Sequence, residues 1–186
     1  MVDAPRLSSY PRLNPMRLYA TKIPVIVDHV YKDLVNSKDV EVNNGTEFRQ
    51  DVESILREYL RANREFTERA KDLLEARGLA YSDLYRTRRE LAEAQDFGIG
   101  DEAPKWIANQ LVELFMASNF VEEVYADDAS MRKKLTAILS RHMQVDGDLD
   151  REVRKHLRHL SDGTEAFEIE YQKKIENFRR KHGLAE

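Results

Sequence analysis

The feature that most constrains this chain is an apolar pattern that occurs twice, about 80 residues apart. Pro24 aligns with Pro104, and at the same offset Val27 aligns with Ile107. After an insertion of about three residues the match continues in four further pairs: Phe48 with Met131, Val52 with Leu135, Leu56 with Leu139 and Leu74 with Leu157. A shared amphipathic period alone would not stay in step over this length. We therefore predict two copies of one helical module, at residues 16–98 and 99–186.

The apolar spacing of i, i+3, i+4 and i+7 predicts an all-α fold with about four helices in each copy. Thr46 is the expected N-cap of the second helix, and Gly78 suits the C-terminal cap of the third. A break near Asn63 is inferred from its counterpart, Asp146-Gly147-Asp148, because glycine is costly inside a helix. The predicted helices are 22–37, 46–61, 65–77, 82–95, 103–119, 128–143, 149–160 and 164–181.

Composition narrows the class of protein and its compartment. Hydrophobic residues make up 41% and charged residues 34% of the chain, which favours solvated helices over disorder. The absence of cysteine excludes disulfides and thiolate chemistry and fits a reducing compartment. No apolar run approaches the roughly 20 residues of a membrane span, and the first residues lack a secretory signal. A cytoplasmic location without membrane association is therefore expected.

The first fifteen residues contain Pro-Arg-Leu twice and have no helical period. Proline disfavours helix in the residue before it, so residues 1–15 are predicted to form an extended or disordered tail. A proline-rich ligand for a partner's groove is the alternative interpretation.

The sequence contains a recognisable pattern: Met16-Arg17-Leu18, a helix with Ile23 and Leu34, Val40-Glu41-Val42 and a helix with Arg49, Val52 and Ile55. This pattern resembles that of an uncharacterised bacterial family of small, charged helical proteins, described as a domain of unknown function, number five hundred and seven. The resemblance extends over roughly residues 16 to 184. It implies an all-α fold in one or two tandem modules and a bacterial cytoplasmic setting, with no activity, cofactor or catalytic residue to carry over. The second copy lacks the opening motif, so any role of that motif belongs to the first copy.

Histidines provide the strongest hint of a metal site. His156 and His159 are spaced i, i+3 on a predicted helix, and His142 lies in the helix before it. Two imidazoles at this spacing can bind one zinc ion if a third ligand is near. The chain has no His-Glu-x-x-His or Glu-x-x-His motif, no phosphate-binding glycine loop and no nucleophile elbow. No catalytic residue or cofactor is therefore assigned, and the three histidines are weak metal candidates.

Rows of basic residues are the main alternative clue to function. The strongest candidates for contacts with nucleic acid are Arg132, Lys133, Lys134, Arg154, Lys155 and Arg158. Acidic residues are interleaved with them, as expected for a solvated helix face with i, i+4 ion pairs, and the net charge is −4. Tyr81, Tyr85, Tyr171 and Trp106 are candidates for either interface anchors or core residues.

The sequence leads to three functional hypotheses. The first is a non-enzymatic protein–protein interaction or adaptor module, because the chain combines tandem helices and high charge with no recognisable chemistry. The second is a nucleic-acid-associated protein that uses the basic rows. The third is a metal-dependent enzyme built on the three histidines.

Overall fold

The computed structural model describes residues 16–144, 147–160 and 165–181. These residues are mostly α-helical, as predicted, with one small two-stranded sheet. The helices are α1 (Ile23–Asn36), α2 (Gly45–Arg77), α3 (Leu84–Glu93), α4 (Ala103–Ala117), α5 (Asp128–Met143), α6 (Gly147–His156) and α7 (Glu165–Lys181), and the strands are β1 (Val40–Val42) and β2 (Val121–Val124). The predicted N-terminal tail, residues 1–15, lies outside the described residues.

The predicted break near Asn63 is wrong, because α2 continues without interruption from Gly45 to Arg77. Its interior contains neither glycine nor proline, unlike the counterpart, where a new helix begins at Gly147. The Asn63 side chain instead accepts a hydrogen bond of 2.7 Å from Arg88 and so joins α2 to α3. The N-cap of α2 is Asn44 rather than Thr46, since its side-chain oxygen accepts from the Thr46 and Glu47 amides.

Three helices end in the same Schellman arrangement. Gly78 after α2 has a left-handed backbone with φ of 62°, and the Leu79 amide donates to the Leu74 carbonyl, so the predicted glycine cap is confirmed. The same paired hydrogen bonds occur at Lys38 after α1, with φ of 57°, and at Asp96 after α3, with φ of 52°. These two residues occupy a conformation that favours glycine.

Replacement of Lys38 by glycine is therefore expected to stabilise the protein by about 0.5–1 kcal/mol. The left-handed backbone strain that is relieved in the folded state outweighs the conformational entropy that glycine adds to the unfolded state. Urea denaturation followed by circular dichroism measures the change. The matched control is Lys32→Gly inside α1, which should destabilise by about 1 kcal/mol. A Lys38→Gly variant that is as destabilised as the control would contradict the assignment of strain.

The two strands join the two halves of the chain. β1 and β2 are antiparallel, with Val40 opposite Val124 and Glu41 opposite Glu123. The ladder is extended on one side by the Tyr125 amide, which donates to the Asp39 carbonyl at 2.8 Å. A segment after α1 is thereby fixed against a segment after α4.

The main hydrophobic core is also common to both halves. Residues from α1 and α2, such as Ile26 and Leu56, belong to the same buried cluster as Ile107 and Leu111 of α4 and Leu139 of α5. Phe48 of α2 stacks on Phe115 of α4 with ring centroids 5.0 Å apart. The two predicted copies therefore share one core, a question that the sequence left open.

A second, smaller core lies under α6 and α7. Its buried members are Tyr19, Val153, Leu157, Phe167, Tyr171 and Ile175. Among the described members only Tyr19 comes from the N-terminal half, so the opening segment supplies one wall of a cluster otherwise built by α6, α7 and the turn after α6. None of the helices within the described ranges is long and apolar enough to cross a membrane.

Candidate functional site

A basic cleft of about 400 Å³ opens above this second core. It lies between the C-terminal part of α2, the turn before α3, the end of α6 and the start of α7. Its described lining consists of Lys71, Tyr81, Arg154, Leu157, Arg158, His159, Leu160 and Phe167. We refer to these residues as the basic cleft; none of those that the structure describes is acidic.

The floor of the basic cleft is apolar and fixed. Leu157 and Phe167 are 2% and 3% exposed and belong to the second core. Leu160 packs against the same cluster, and its amide donates to the Leu157 carbonyl at 2.9 Å. The turn that follows α6 therefore presents Arg158 and His159 above a buried apolar base.

Arg154 is the residue shared by the basic cleft and the second core. Its Nε lies 2.9 Å from both carboxylate oxygens of Asp150, one helical turn earlier. The Tyr171 hydroxyl donates to the same carboxylate. The Arg154 guanidinium lies 5.6 Å from the ring centroids of both Phe167 and Tyr171. These contacts hold the Arg154 side chain in one orientation beside the cleft.

The opening motif supplies a second arginine to this cluster. The Arg17 guanidinium lies 5.2 Å from the centroid of Tyr171 and 5.3 Å from that of Phe167. Its amide donates to the Met143 carbonyl at 2.8 Å, and Met16 forms a bridge with Gln144, so the backbone is anchored to the end of α5. The motif that marks the family resemblance therefore supports the wall of the basic cleft.

The tyrosines of this cluster are structural groups: both rings pack, and the Tyr171 hydroxyl also donates to Asp150. Tyr19 and Tyr171 stack with centroids 5.3 Å apart and ring planes 13° from parallel. Burial raises the pKa of both hydroxyls well above their ordinary value. Both therefore stay protonated at neutral pH and do not supply a phenolate for catalysis.

The chemistry that this arrangement offers is binding of an anion next to apolar groups. Lys71 and Arg154 already contact Glu68 and Asp150, at 2.9 Å in each case, whereas Arg158 and His159 are exposed at the rim. Guanidinium groups suit carboxylate and phosphate ligands because their donors form a planar fork. The apolar floor suits a ligand that also carries a hydrophobic side chain or ring.

The six nucleic-acid candidates lie in α5, in α6 and in the turn after α6, and they do not form one row. Arg132 bonds to Asn109 and Asp128, and Lys155 contacts Glu152. Lys134 is paired with Asp39 and Ser37 of the first half. Burial acts to raise the pKa of Asp39, but these hydrogen bonds outweigh it and leave the pKa below its ordinary value. Lys133 is exposed on α5, and only Arg154 and Arg158 reach the basic cleft.

The metal candidates are also separated. His142 is paired with His29 of α1, His156 contacts the Glu152 carbonyl at 2.9 Å, and His159 lines the basic cleft. Within the residues that the structure describes, no three His, Asp or Glu side chains are close enough to hold a metal ion together. His29 was not predicted to meet His142, because these residues are 113 positions apart and no local spacing relates them.

The aromatic candidates divide between surface and core. Tyr81 and Tyr85 are exposed by 62% and 61%, whereas Tyr171 is fully buried. Trp106 is half-buried and packs on Phe97 with ring centroids 4.7 Å apart. Tyr81 is thus the aromatic residue that remains available at the rim of the basic cleft.

The fold and the cleft define a charged helical protein with one shared core and a basic surface recess. The chain belongs to the family described as protein of unknown function (DUF507), which matches residues 16–184. The match includes every residue of the basic cleft and the opening motif. No curated protein matches the chain.

Proposed function

We propose that this protein is a non-enzymatic interaction module that binds an acidic, amphipathic segment of a partner protein in the basic cleft. The observation that carries the proposal is the lining itself, in which Lys71, Arg154 and Arg158 surround the buried side chains of Leu157 and Phe167. Aspartate or glutamate side chains would meet the cations, and an apolar side chain would cover the floor.

A protein partner suits the size of the charged surface better than an extended nucleic acid does. Nucleic-acid binding without sequence preference uses a basic groove that follows several phosphates and is usually part of a basic domain. Here Arg132, Lys134 and Lys155 contact carboxylates of their own chain, and the net charge is −4. The positive charge of the recess comes from the exposed Arg158 together with Lys71 and Arg154, which are themselves paired with Glu68 and Asp150. The recess has room for a short segment rather than for an extended strand.

The exposed connection between α2 and α3 supports the same proposal. Leu79 and Tyr81 are 42% and 62% exposed, and Tyr81 forms part of the basic cleft. Tyrosine is enriched at protein interfaces because it offers a large apolar face with a polar end. A partner segment that enters the cleft would bury this ring.

Reversal of one charge tests this proposal. Arg158→Glu is expected to weaken binding of a fluorescein-labelled peptide with alternating glutamate and leucine by about tenfold or more. A positive charge at the rim attracts this acidic peptide, whereas a negative charge repels it. Fluorescence anisotropy at low and physiological salt gives the affinity. The matched control is Lys133→Glu, an equal charge change at an exposed lysine of α5 outside the cleft.

Equal weakening by both variants would indicate non-specific attraction and would contradict the cleft as the binding site. The same titrations with single-stranded RNA distinguish the alternative function. Tighter binding of RNA than of peptide, reduced by Lys133→Glu as well, would replace the proposal with nucleic-acid association. Absence of binding to either probe in the wild type would also overturn it.

Two further parts of the proposal concern setting and origin. We propose a bacterial cytoplasmic protein, supported by the family resemblance and by the lack of cysteine.

We also propose that the halves are tandem copies of one module, with the predicted boundary near residue 98. Support comes from the order helix–strand–helix in α1–β1–α2 and in α4–β2–α5, and from aligned residues that are buried in both halves: Val27 and Ile107, Phe48 and Met131, Val52 and Leu135, Leu56 and Leu139.

A further inference from the structure

We propose that His29 and His142 form a binding site for one divalent transition-metal ion, separate from the basic cleft. The Nδ1 of His29 lies 2.8 Å from the Nε2 of His142. The ring planes are 88° apart, with centroids separated by 5.1 Å. The separation of the centroids equals the distance between the nitrogens plus the two ring radii, so the nitrogens face each other head-on across one hydrogen bond between α1 and α5.

The distance between these nitrogens is close to that of a metal site. Zinc binds imidazole nitrogen at about 2.0–2.1 Å with tetrahedral angles, which places two ligand nitrogens roughly 3.3 Å apart. The pair must open by about half an ångström, and each ring must turn by roughly 35° from the line between the nitrogens so that both lone pairs converge on one ion. Both changes are side-chain rotations. Replacement of the shared proton by a metal ion is thus geometrically feasible.

The two helices hold the histidines in position. His29 lies next to the fully buried Val30 in α1, and His142 lies next to the fully buried Met143 in α5. Lys134 of α5 also contacts Asp39 and Ser37, which follow α1, so the relative position of these elements is fixed by contacts away from the histidines. The helices therefore keep the two rings within reach of one ion, and only the side chains need to turn to bind it.

Ligand chemistry selects the class of ion. Imidazole is a good ligand for zinc, copper and nickel, whereas magnesium and calcium prefer oxygen atoms. In the described part of the chain no third His, Asp or Glu joins the pair, and both rings are half-buried and reachable by water. The site therefore uses two protein ligands, completes its coordination with solvent and exchanges its ion readily.

Calorimetric titration of the full-length protein with zinc chloride tests the site. We expect one saturable equivalent, and both His29→Gln and His142→Gln should weaken binding by about tenfold or more because each removes one arm of the chelate. Glutamine keeps similar bulk and hydrogen-bonding capacity, and circular dichroism verifies the fold. The matched controls, His156→Gln and His159→Gln, alter exposed histidines outside the pair and should change affinity less than about twofold.

A second measurement does not depend on any variant. In wild-type protein, ¹H–¹⁵N spectra of the imidazoles should show zinc-dependent shifts of the His29 and His142 ring nitrogens, and magnesium should produce none. The proposal is overturned if zinc does not bind at about millimolar concentration, if the pair variants bind like wild type, or if the control variants remove binding equally. The last result would identify adventitious binding to surface histidines.

Discussion

Phe48→Ala is expected to lower the free energy of unfolding by about 3–5 kcal/mol, because the substitution leaves a cavity in a core that collapses incompletely. Phe48 is completely buried and packs on Phe115 and Tyr31, with ring centroids 5.0 and 5.9 Å away. It comes from the first predicted copy, whereas Phe115 comes from the second. The loss should therefore destabilise both halves together.

The single tryptophan makes this expectation testable. Trp106 lies in α4 but packs on Tyr59 and Phe97 of the first half, so its fluorescence reports on the contact between the halves. Far-ultraviolet circular dichroism follows all helices. With a shared core, urea denaturation of the Phe48→Ala variant should show both signals moving to the same lower midpoint. The control is Met116→Ala, a side chain 66% exposed beside Phe115, with an expected change within about 0.5 kcal/mol. An unchanged fluorescence midpoint in Phe48→Ala, with a lower midpoint by circular dichroism, would contradict a shared core that unfolds as one unit.

Gly98→Ala is expected to destabilise the protein by about 3 kcal/mol, at the upper end of the range for overpacking. A Cβ at this position would lie 2.6 Å from the Trp106 Cβ and 2.8 Å from the Glu102 carbonyl oxygen. The carbonyl belongs to the backbone turn that leads into α4, and the Gly98 carbonyl itself accepts a hydrogen bond of 3.1 Å from Tyr59. Neither the Glu102 carbonyl nor the Trp106 side chain can move away from the added methyl group without disturbing the aromatic packing around Phe97.

Gly100→Ala is the control that separates the steric clash at Gly98 from a general sensitivity to substitution in the segment that joins the two halves. Gly100 has a left-handed backbone with φ of 59°, but an added Cβ would meet nothing closer than the Tyr85 hydroxyl at 3.5 Å. Its cost should be about 1–2 kcal/mol from backbone strain alone. Thermal and urea denaturation of both variants provide the comparison. Gly98→Ala should also change the emission of Trp106, and equal stability of the two variants would contradict the clash.

Local sequence features predicted the helices well, because each is governed by neighbouring residues. The apolar period located α1, α4 and α5 almost to the residue, and Gly78 ended α2 where expected. The error at Asn63 arose from transfer of a glycine-containing break to a segment without glycine. The pairing of β1 with β2 was not predicted, since two short strands of valine and glutamate carry no signal of their partner.

The candidate sites were only partly predictable, because they depend on distant residues that meet in three dimensions. Arg154, Arg158 and His159 were recognised as basic or metal-binding candidates from their helical spacing. Lys71 was not, because nothing in its own helix indicates that the turn after α6 lies opposite it. The sequence likewise identified His142 but paired it with His156 and His159, whereas its actual neighbour is His29.

The packing of Tyr19 among Val153, Phe167 and Tyr171 has a consequence for biosynthesis. The ribosome releases Tyr19 long before α7, so this residue must wait for α7 before its side chain reaches its buried position. Until then the aromatic ring of Tyr19 stays accessible to solvent and to chaperones. Synthesis of α7 is therefore the step that closes this end of the molecule and creates its basic recess.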